Sequence, residues 1–451
     1  MLYRKRFNNF NSKIITLMII SLFLFPSYKS KTNISYSIIQ RTSNIEDNSV
    51  SINNIQVPII SLDVAVKNSY AYLVGENHFS YYRLDTSKPE RVGYVEETDD
   101  YYNRSFLALN QIEIQGNYMY LLGSRSHYSS ANATLFVAEL YDANNFEVLG
   151  NCSFNASNVG ALAAYIHELY IEDDYAFIGT TWYNTTYEDI AISLISILDI
   201  SNKSNPVVLG NYNDTGICRG FAMENDTLFL ALSEQAVYDA PNFSYTYIGE
   251  NRLVILDVSN KSQPLKIHQL NLSHSPCSAA IHNGYLYLSY SNSSFEIYNI
   301  DDIQNPNLLI SSNINSRNIV FENDLTYILE KNKLLIVDTE DIYNFRIIGQ
   351  KKVRYRGENG IFHDCIIENN LVFAVRQVQY YGSFIIFDCT NERNPKIIFP
   401  DADASDVLHE LTLTISGYVI SPIIFVSIIF FVTRLLIKRN KKREVKNENG
   451  D

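Results

Sequence analysis

One tryptophan and four methionines stand against 33 tyrosines and 24 phenylalanines in this chain of 451 residues. Helix signals are scarce outside the two ends, whereas aromatic and β-branched residues fit a pleated, half-buried surface and favour strands. Cysteine is sparse too: Cys152, Cys218, Cys277, Cys365 and Cys389, none with a C-x-x-C partner. That excludes a disulfide framework and the usual zinc spacings, and an odd count leaves one thiol unpaired within a monomer if the others pair. There is no G-x-S-x-G, no H-E-x-x-H and no phosphate loop, so no catalytic motif identifies an enzyme. No cofactor is expected.

Net positive charge is confined to the ends. Residues 1–13 carry +4, residues 434–451 carry +4 and the whole chain carries −13, which leaves −21 on residues 14–433. A segment this acidic repels phosphate backbones, so nucleic acid is not an expected partner.

Long apolar runs are equally rare, and both lie at the ends. Ile14 to Phe25 follows a basic start and is closed by Pro26. Residues 1–30 therefore read as a secretory signal, with an uncleaved anchor as the alternative because no clear small-residue cleavage site follows. Leu411 to Thr433 is uncharged for 23 residues, about 35 Å as a helix, enough to cross a bilayer. The basic residues 434–451 beyond it place that tail in the cytoplasm and the bulk of the chain outside, at a cell membrane crossed once. Thirteen Asn-x-Ser/Thr acceptors, at Asn33, Asn103, Asn132, Asn151, Asn155, Asn184, Asn202, Asn213, Asn225, Asn242, Asn260, Asn271 and Asn292, all fall between the two runs. An exported glycoprotein requires that placement.

Between the ends the chain repeats itself. LVILDVSNKSQP (Leu253 to Pro264) parallels ISILDISNKSNP (Ile195 to Pro206), and looser copies end at Pro89, Phe146, Pro306, Phe345 and Pro395. The aspartate position is filled by Asp85, Glu139, Asp199, Asp257, Asn299, Asp338 and Asp388. Each copy follows a turn and an aromatic strand such as GNYMYLLG from Gly116 or NGYLYLSY from Asn283. Asn-Gly, Asn-Asp and Gly-Asn between apolar runs signal two-residue hairpins. Each unit reads as strand a, tight turn, strand b, variable loop, strand c, Asp-Asn-Pro turn, strand d. Seven such units, 39 to 60 residues apart, predict an all-β, seven-bladed propeller over residues 58–405, with a polar segment at 31–57 before it and the C-terminal helix after it.

These units resemble the LVIVP repeats of secreted and surface proteins of bacteria and archaea. The matching residues are Leu253 to Asn260 (LVILDVSN) and Asn205 to Gly210 (NPVVLG). The resemblance implies a propeller and a surface location but no reaction.

Function is expected in two places. Long b–c loops on one end carry Tyr128, Trp182, Tyr183, Tyr187, Tyr238, Phe243, Tyr245 and Tyr247, aromatics suited to protein or carbohydrate contact or, equally, to packing each loop on its neighbour. At the start of each strand a, two aligned columns ring the channel mouth: Leu62, Asn110, His167, Arg219, Cys277, Arg317, His363, and then Asp63, Gln111, Glu168, Gly220, Ser278, Asn318, Asp364. Asp63, Glu168, Asp364, His167 and His363 are of ligand type for a cation. Arg219 and Arg317 suit an acidic ligand, or ion pairs with those carboxylates inside a hydrated channel. The leading expectation is a non-enzymatic binding or adhesion ectodomain. A propeller hydrolase or lyase at the axial ring, and a component of a surface coat, are the alternatives. Blades 6, 7 and 1 carry no acceptor, and in a closed ring this bare sector would face a partner or the membrane.

Overall fold

A computed structural model describes residues 61–75, 78–85, 89–96, 107–127, 130–142, 145–155, 163–183, 191–239, 244–291, 294–314, 316–353, 361–378 and 381–399. The signal at 1–30, the segment 31–57, the apolar run 411–433 and the basic tail lie outside them. No helix among the described residues is long and apolar enough to cross a membrane.

The described residues form seven antiparallel four-stranded sheets, each made of strands a, b, c and d in chain order. Blade 1 comprises Ser61–Lys67, Tyr70–Gly75, His78–Arg83 and Glu90–Glu96. Blade 2 comprises Leu107–Gln115, Tyr118–His127, Ser130–Asp142 and Asn145–Phe154. Blade 3 comprises Ala163–Glu172, Tyr175–Tyr183, Ile192–Asp199 and Val207–Thr215. Blade 4 comprises Ile217–Glu224, Thr227–Ser233, Arg252–Asp257 and Leu265–Asn271, with a separate hairpin, Gln235–Asp239 and Ser244–Ile248, between its strands b and c. Blade 5 comprises Pro276–His282, Tyr285–Tyr290, Phe295–Asn299 and Asn307–Ser312. Blade 6 comprises Asn318–Glu322, Leu325–Leu329, Lys333–Asp338 and Arg346–Lys352. Blade 7 comprises Ile361–Glu368, Leu371–Val378, Tyr381–Asp388 and Lys396–Phe399.

The a–b turns are two residues long and left-handed. Asn68, Ser69, Gly116, Asp173, Asn225, Asn283, Gly284, Asn323, Asn369 and Asn370 all have φ between 48° and 75°, which Asn tolerates better than bulkier residues. The c–d turns are organised by the repeated acid. Asp199 accepts hydrogen bonds from the Ser201 backbone N–H (2.8 Å) and hydroxyl (2.6 Å). Asp257, Asn299, Asp338 and Asp388 accept the same bond from the residue two places on. This is the turn chemistry of Asx residues, and it explains why the repeat retains the acid in an otherwise apolar run. One backbone bond in each blade, for instance Ile200 N–H to Asp174 O (2.8 Å), ties the c–d turn to the a–b turn. These turns therefore share one end and the b–c loops occupy the other.

Both faces of every blade are apolar, and each of the seven seams has its own core. Tyr120, Leu135 and Trp182 pack between blades 2 and 3, and Phe229, Ile255 and Leu288 between blades 4 and 5. The closing seam is built like the others: Val64, Leu73 and Tyr82 of blade 1 pack on Phe373, Phe384 and Phe399 of blade 7. Closure needs no exchanged strand, because each blade's four strands are consecutive. Strands a of successive blades touch all the way round, including blade 7 with blade 1, so they line the axis.

The glycine of the repeat's second half sits at a seam. Strand d bulges one residue before it, at Leu149 in blade 2, Leu209 in blade 3 and Ile348 in blade 6. A Cβ on Gly150 or Gly210 would stand 2.5 Å from Ser204 O or Lys261 O, the backbone of the next blade's c–d turn. In two of these turns a lysine reaches back over the preceding blade's aromatic strand. Lys203 Nζ lies 5.4 Å from the Tyr118 ring centroid, and Lys261 Nζ 5.4 Å from that of Tyr175. The Asn-Lys-Ser turn and the aromatic strand are thus two halves of one contact between blades.

Candidate functional site

The two aligned columns at the channel mouth have a common structural origin. In strand a the register with strand b slips once in blades 1, 2, 3, 4, 5 and 7, and the skipped residue is Leu62, Asn110, His167, Arg219, Cys277 or His363. The next residue resumes pairing at one equivalent position: Asp63 with Val74, Gln111 with Leu122, Glu168 with Gly179, Gly220 with Ala231, Ser278 with Ser289, Asp364 with Val375. In blade 6, Arg317 and Asn318 take the corresponding places. A bulge bends the strand and re-aims the side chain, so the propeller carries a ring of bulges around its mouth.

The first column bonds outward to strand b. Ser124 Oγ donates to Asn110 Oδ1 (3.3 Å), Arg219 Nε donates to Ser233 Oγ (2.9 Å), and His363 Nε2 meets Gln377 Oε1 (2.7 Å). Each partner lies 14 residues downstream. The equivalent partner of His167 is Thr181, but the Thr181 hydroxyl accepts the Cys218 backbone N–H (3.0 Å). His167 Nε2 is left buried without a hydrogen bond. Burial, reinforced by Arg219, lowers its pKa to about 3.

The second column brings acids together below. Asp63 accepts the backbone N–H groups of Val64 (2.6 Å) and Ile112 (2.7 Å) and is hydrogen-bonded to Asp364. Asn318 Nδ2 donates to Asp364 Oδ1 (2.7 Å) and His363 O (3.0 Å). Burial raises the proton affinity of both Asp63 and Asp364, and the charge of Asp364 raises Asp63 further; such a pair titrates as one unit. Glu168 is raised well above the usual carboxylate range by burial and by the charges of Asp364 and Glu113. Gly220 leaves room for it: a Cβ there would lie 3.3 Å from Glu168 Oε2. Glu113, which the column reading missed, belongs with them, its pKa raised to about 7 by burial and Asp364. Its signal was period two, since Glu113 follows Gln111 by two residues and faces the same way.

The expected pairs between arginine and carboxylate do not form. Neither Arg219 nor Arg317 is ion-paired with a described carboxylate. Both instead act on the half-buried Cys277 thiol, partly offsetting the rise that burial causes. Among the described residues no three His, Cys, Asp or Glu side chains are grouped to hold a metal ion. All five cysteines are free thiols.

The loop aromatics divide. Trp182 corrects the sequence reading: strand b of blade 3 runs on through it, so it is fully buried, with Nε1 donating to Thr180 Oγ1 (2.7 Å). Tyr183 is half-buried and packs edge-on against Tyr165 (5.3 Å). Tyr247 is 63% exposed. It pairs with Ala236, and Tyr238 with Tyr245, in the blade 4 hairpin. Its base is fixed by Gln235, whose Oε1 accepts the Ala191 N–H (2.5 Å). Below it lies buried Arg252, bonded to Asp214 (2.9 Å) and to Thr215 O (2.5 Å). Tyr128, Phe243, Tyr187, Asn33, Asn103, Asn184, Asn242 and Asn292 lie outside the described residues. Asn151, Asn155, Asn202, Asn213, Asn225, Asn260 and Asn271 are exposed, and Asn132 is half-buried.

The LVIVD repeat profile matches residues 189–214 and 244–270. Its fifth letter is Asp where Pro was expected, and LVILD, Leu253 to Asp257, lies within the second match. No curated protein matches the chain. Among solved structures it is similar to a hypothetical selenium-binding protein from Sulfolobus tokodaii, with 13% identity, 74% of this chain and 90% of that one covered, and a TM-score of 0.51. It is also similar to the computationally designed protein Ika8 (7%, 73% and 97%, 0.45). A third is PorZ, a bacterial surface component of the type-IX secretion system of Porphyromonas gingivalis (11%, 78% and 39%, 0.47). At these identities the likeness concerns fold alone. The two LVIVD matches fall on blades 3 and 4 of a seven-bladed β-propeller whose five further blades are built to the same plan.

Proposed function

We propose that this chain is a non-enzymatic binding or adhesion module of the cell surface, anchored by residues 411–433, with its propeller outside and its basic tail in the cytoplasm. The observation that carries the binding reading is the asymmetry of the two ends. The a–b and c–d turns are short and near-uniform, whereas the b–c end carries the blade 4 hairpin with Tyr247 exposed. Variation concentrated on one face of a rigid scaffold is how binding surfaces are built. The anchor and the topology rest on the uncharged run, the basic residues after it and the placement of the acceptors. The test applies the full-length chain in neutral detergent to protein and glycan arrays, beside a variant with residues 236–247 replaced by Asn-Gly. The reading requires a ligand that the wild type retains and the variant loses. Equal retention by both removes the hairpin from the site.

One observation favours a hydrolase or lyase as the second reading: a half-buried Glu113, raised to about 7, in the range suited to a general acid or base. Turnover of any arrayed glycan or peptide that stops in Glu113→Gln would establish it.

A further inference from the structure

Blade 6 is polar in the electrical sense. Its carboxylates Glu322, Asp324, Asp338, Glu340 and Asp341 lie at the a–b and c–d end, and Arg346, also there, is neutralised by Asp338 at 3.0 Å. At the b–c end stand Arg317, Lys331, Lys333, Lys351 and Lys352, with Glu330 alone among the described carboxylates of that blade end, held by Lys333 at 2.9 Å. The register places them side by side. Lys333 is directly opposite Lys352 across strands c and d, and Leu334 opposite Lys351. Lys331 is 14 residues beyond Arg317, the spacing that is hydrogen-bonded in blades 2, 4 and 7, so here two cations occupy positions that elsewhere attract each other. Arg317, Lys331 and Lys352 are exposed. Like charges placed directly opposite cost stability, and on a segment carrying −21 they are not the background. The cationic track also reaches inward, since Arg317 and Arg219 both act on Cys277 between them.

We propose that this end of blade 6 is a binding surface for an acidic polysaccharide, a sugar chain bearing carboxylate or sulfate groups. The proposal rests on the binding-module reading and assigns it a ligand class. A polyanion fits better than a folded protein partner because protein interfaces are anchored by buried aromatic and apolar groups. The exposed large apolar residues described in blade 6, Tyr343 (68%) and Ile347 (50%), lie at the opposite end. What the b–c end offers is charge in a row across four strands, roughly 14 Å at the strand spacing. The b–c turn there is tight, with Glu330 N–H bonded to Lys333 O (2.9 Å), so this blade's own loop does not overhang the row.

The test uses the full-length chain in neutral detergent with four probes: dextran sulfate, polygalacturonate, neutral dextran and poly-L-glutamate. Wild type is expected to bind the two acidic polysaccharides and not dextran, with log affinity falling linearly against log salt as counterions are released. The double variant Lys331→Glu/Lys352→Glu should weaken that binding by about tenfold or more and flatten the salt slope, with Lys331→Gln/Lys352→Gln intermediate. Lys396→Glu, at the turn end of blade 7, should leave it unchanged. Equal affinity in wild type and double variant, or no polysaccharide binding at about 0.1 M salt, overturns the proposal. Tighter binding of poly-L-glutamate than of either polysaccharide overturns it in favour of an acidic protein. The hairpin-deleted variant separates the two ideas: it should keep polyanion binding, and a ligand lost with the hairpin while no polyanion binds would leave the module reading intact and remove this one.

Discussion

Asp63 of blade 1 and Asp364 of blade 7 are hydrogen-bonded to each other across the seam where the ring closes. They join two carboxyl groups, Asp63 buried and Asp364 half-buried, at the one junction that chain connectivity does not secure. Asp63 also accepts the Ile112 N–H of blade 2, and Asn318 of blade 6 donates to Asp364. Four consecutive blades are therefore linked through this pair.

Stability should fall as pH rises. Asp63, Asp364, Glu113 and Glu168 all have folded pKa values above their ordinary 3.8 or 4.5. The folded state then binds more protons than the unfolded chain, so their contribution is complete below about pH 4 and is lost as pH climbs through the raised values, about 7 in the case of Glu113. His167 acts in the opposite sense, because its depressed pKa contributes above about 6.5 and that is lost towards 3. Asp364→Asn keeps the hydrogen-bond geometry and removes a charge that raises the other three. It should raise stability at pH 8 by about 1 kcal/mol, roughly 2 °C in Tm, and do little at pH 5. Thermal unfolding of both proteins from pH 4 to 9 measures this; a constant gap across that range would refute the charge argument.

Much of this site was legible and some was not, for reasons of different kinds. Alignment on the aromatic strand found both columns, because repeated blades put repeated positions in one place. It could not show that the first column is bulged: a bulge is a relation between two strands, and in Cys218-Arg219-Gly220 the sequence shows only a break in alternation. Glu113 was missed for want of one further step of two. Trp182 was misplaced because it was assigned to a b–c loop, whereas strand b of its blade continues to Tyr183. The fold itself came through clearly, since turn, aromatic strand and Asp turn each answer to local chemistry. Ring closure did not, since the contact of Tyr82 with Phe384 (5.3 Å) joins residues some 300 apart.

The seam glycine and the turn glycine should respond differently to one added methyl group. Gly210 has the backbone of Lys261 and Ser262 within 2.7 Å of where its Cβ would be, whereas Gly116 has nothing within 4 Å and a φ of 57°. Gly116→Ala should cost about 1 kcal/mol, the left-handed backbone penalty alone. Gly210→Ala must push neighbouring blades apart and should cost about 2–3 kcal/mol or more. Urea unfolding of the two variants gives the comparison, and an equal cost would mean the seam relaxes freely.

Trp182 is the single tryptophan, fully enclosed between blades 2 and 3. The intrinsic emission of the folded protein should therefore be blue-shifted and resistant to acrylamide, becoming red-shifted and quenchable on unfolding. Trp182→Ala should destabilise by about 3–5 kcal/mol through the cavity it leaves. Ready quenching in the native protein would return Trp182 to the surface.

The thiols offer a check on compartment and packing together. Five free cysteines predict an intact mass unchanged by reduction and five adducts with a maleimide in denaturant. In the native state only Cys152 and Cys277 are partly accessible; Cys218, Cys365 and Cys389 are buried. Even the accessible pair should react slowly, since burial raises both thiols above the usual value and the thiolate is the nucleophile. Cys277 has Arg219 and Arg317 to lower it to some extent, and Cys152 has only the Val208 backbone N–H. Neutralising the guanidinium in Arg317→Gln should therefore slow labelling of Cys277 and leave Cys152 as it was. Timed labelling with peptide mapping separates the two sites, and an unchanged Cys277 rate would show that the arginine does not reach the thiol.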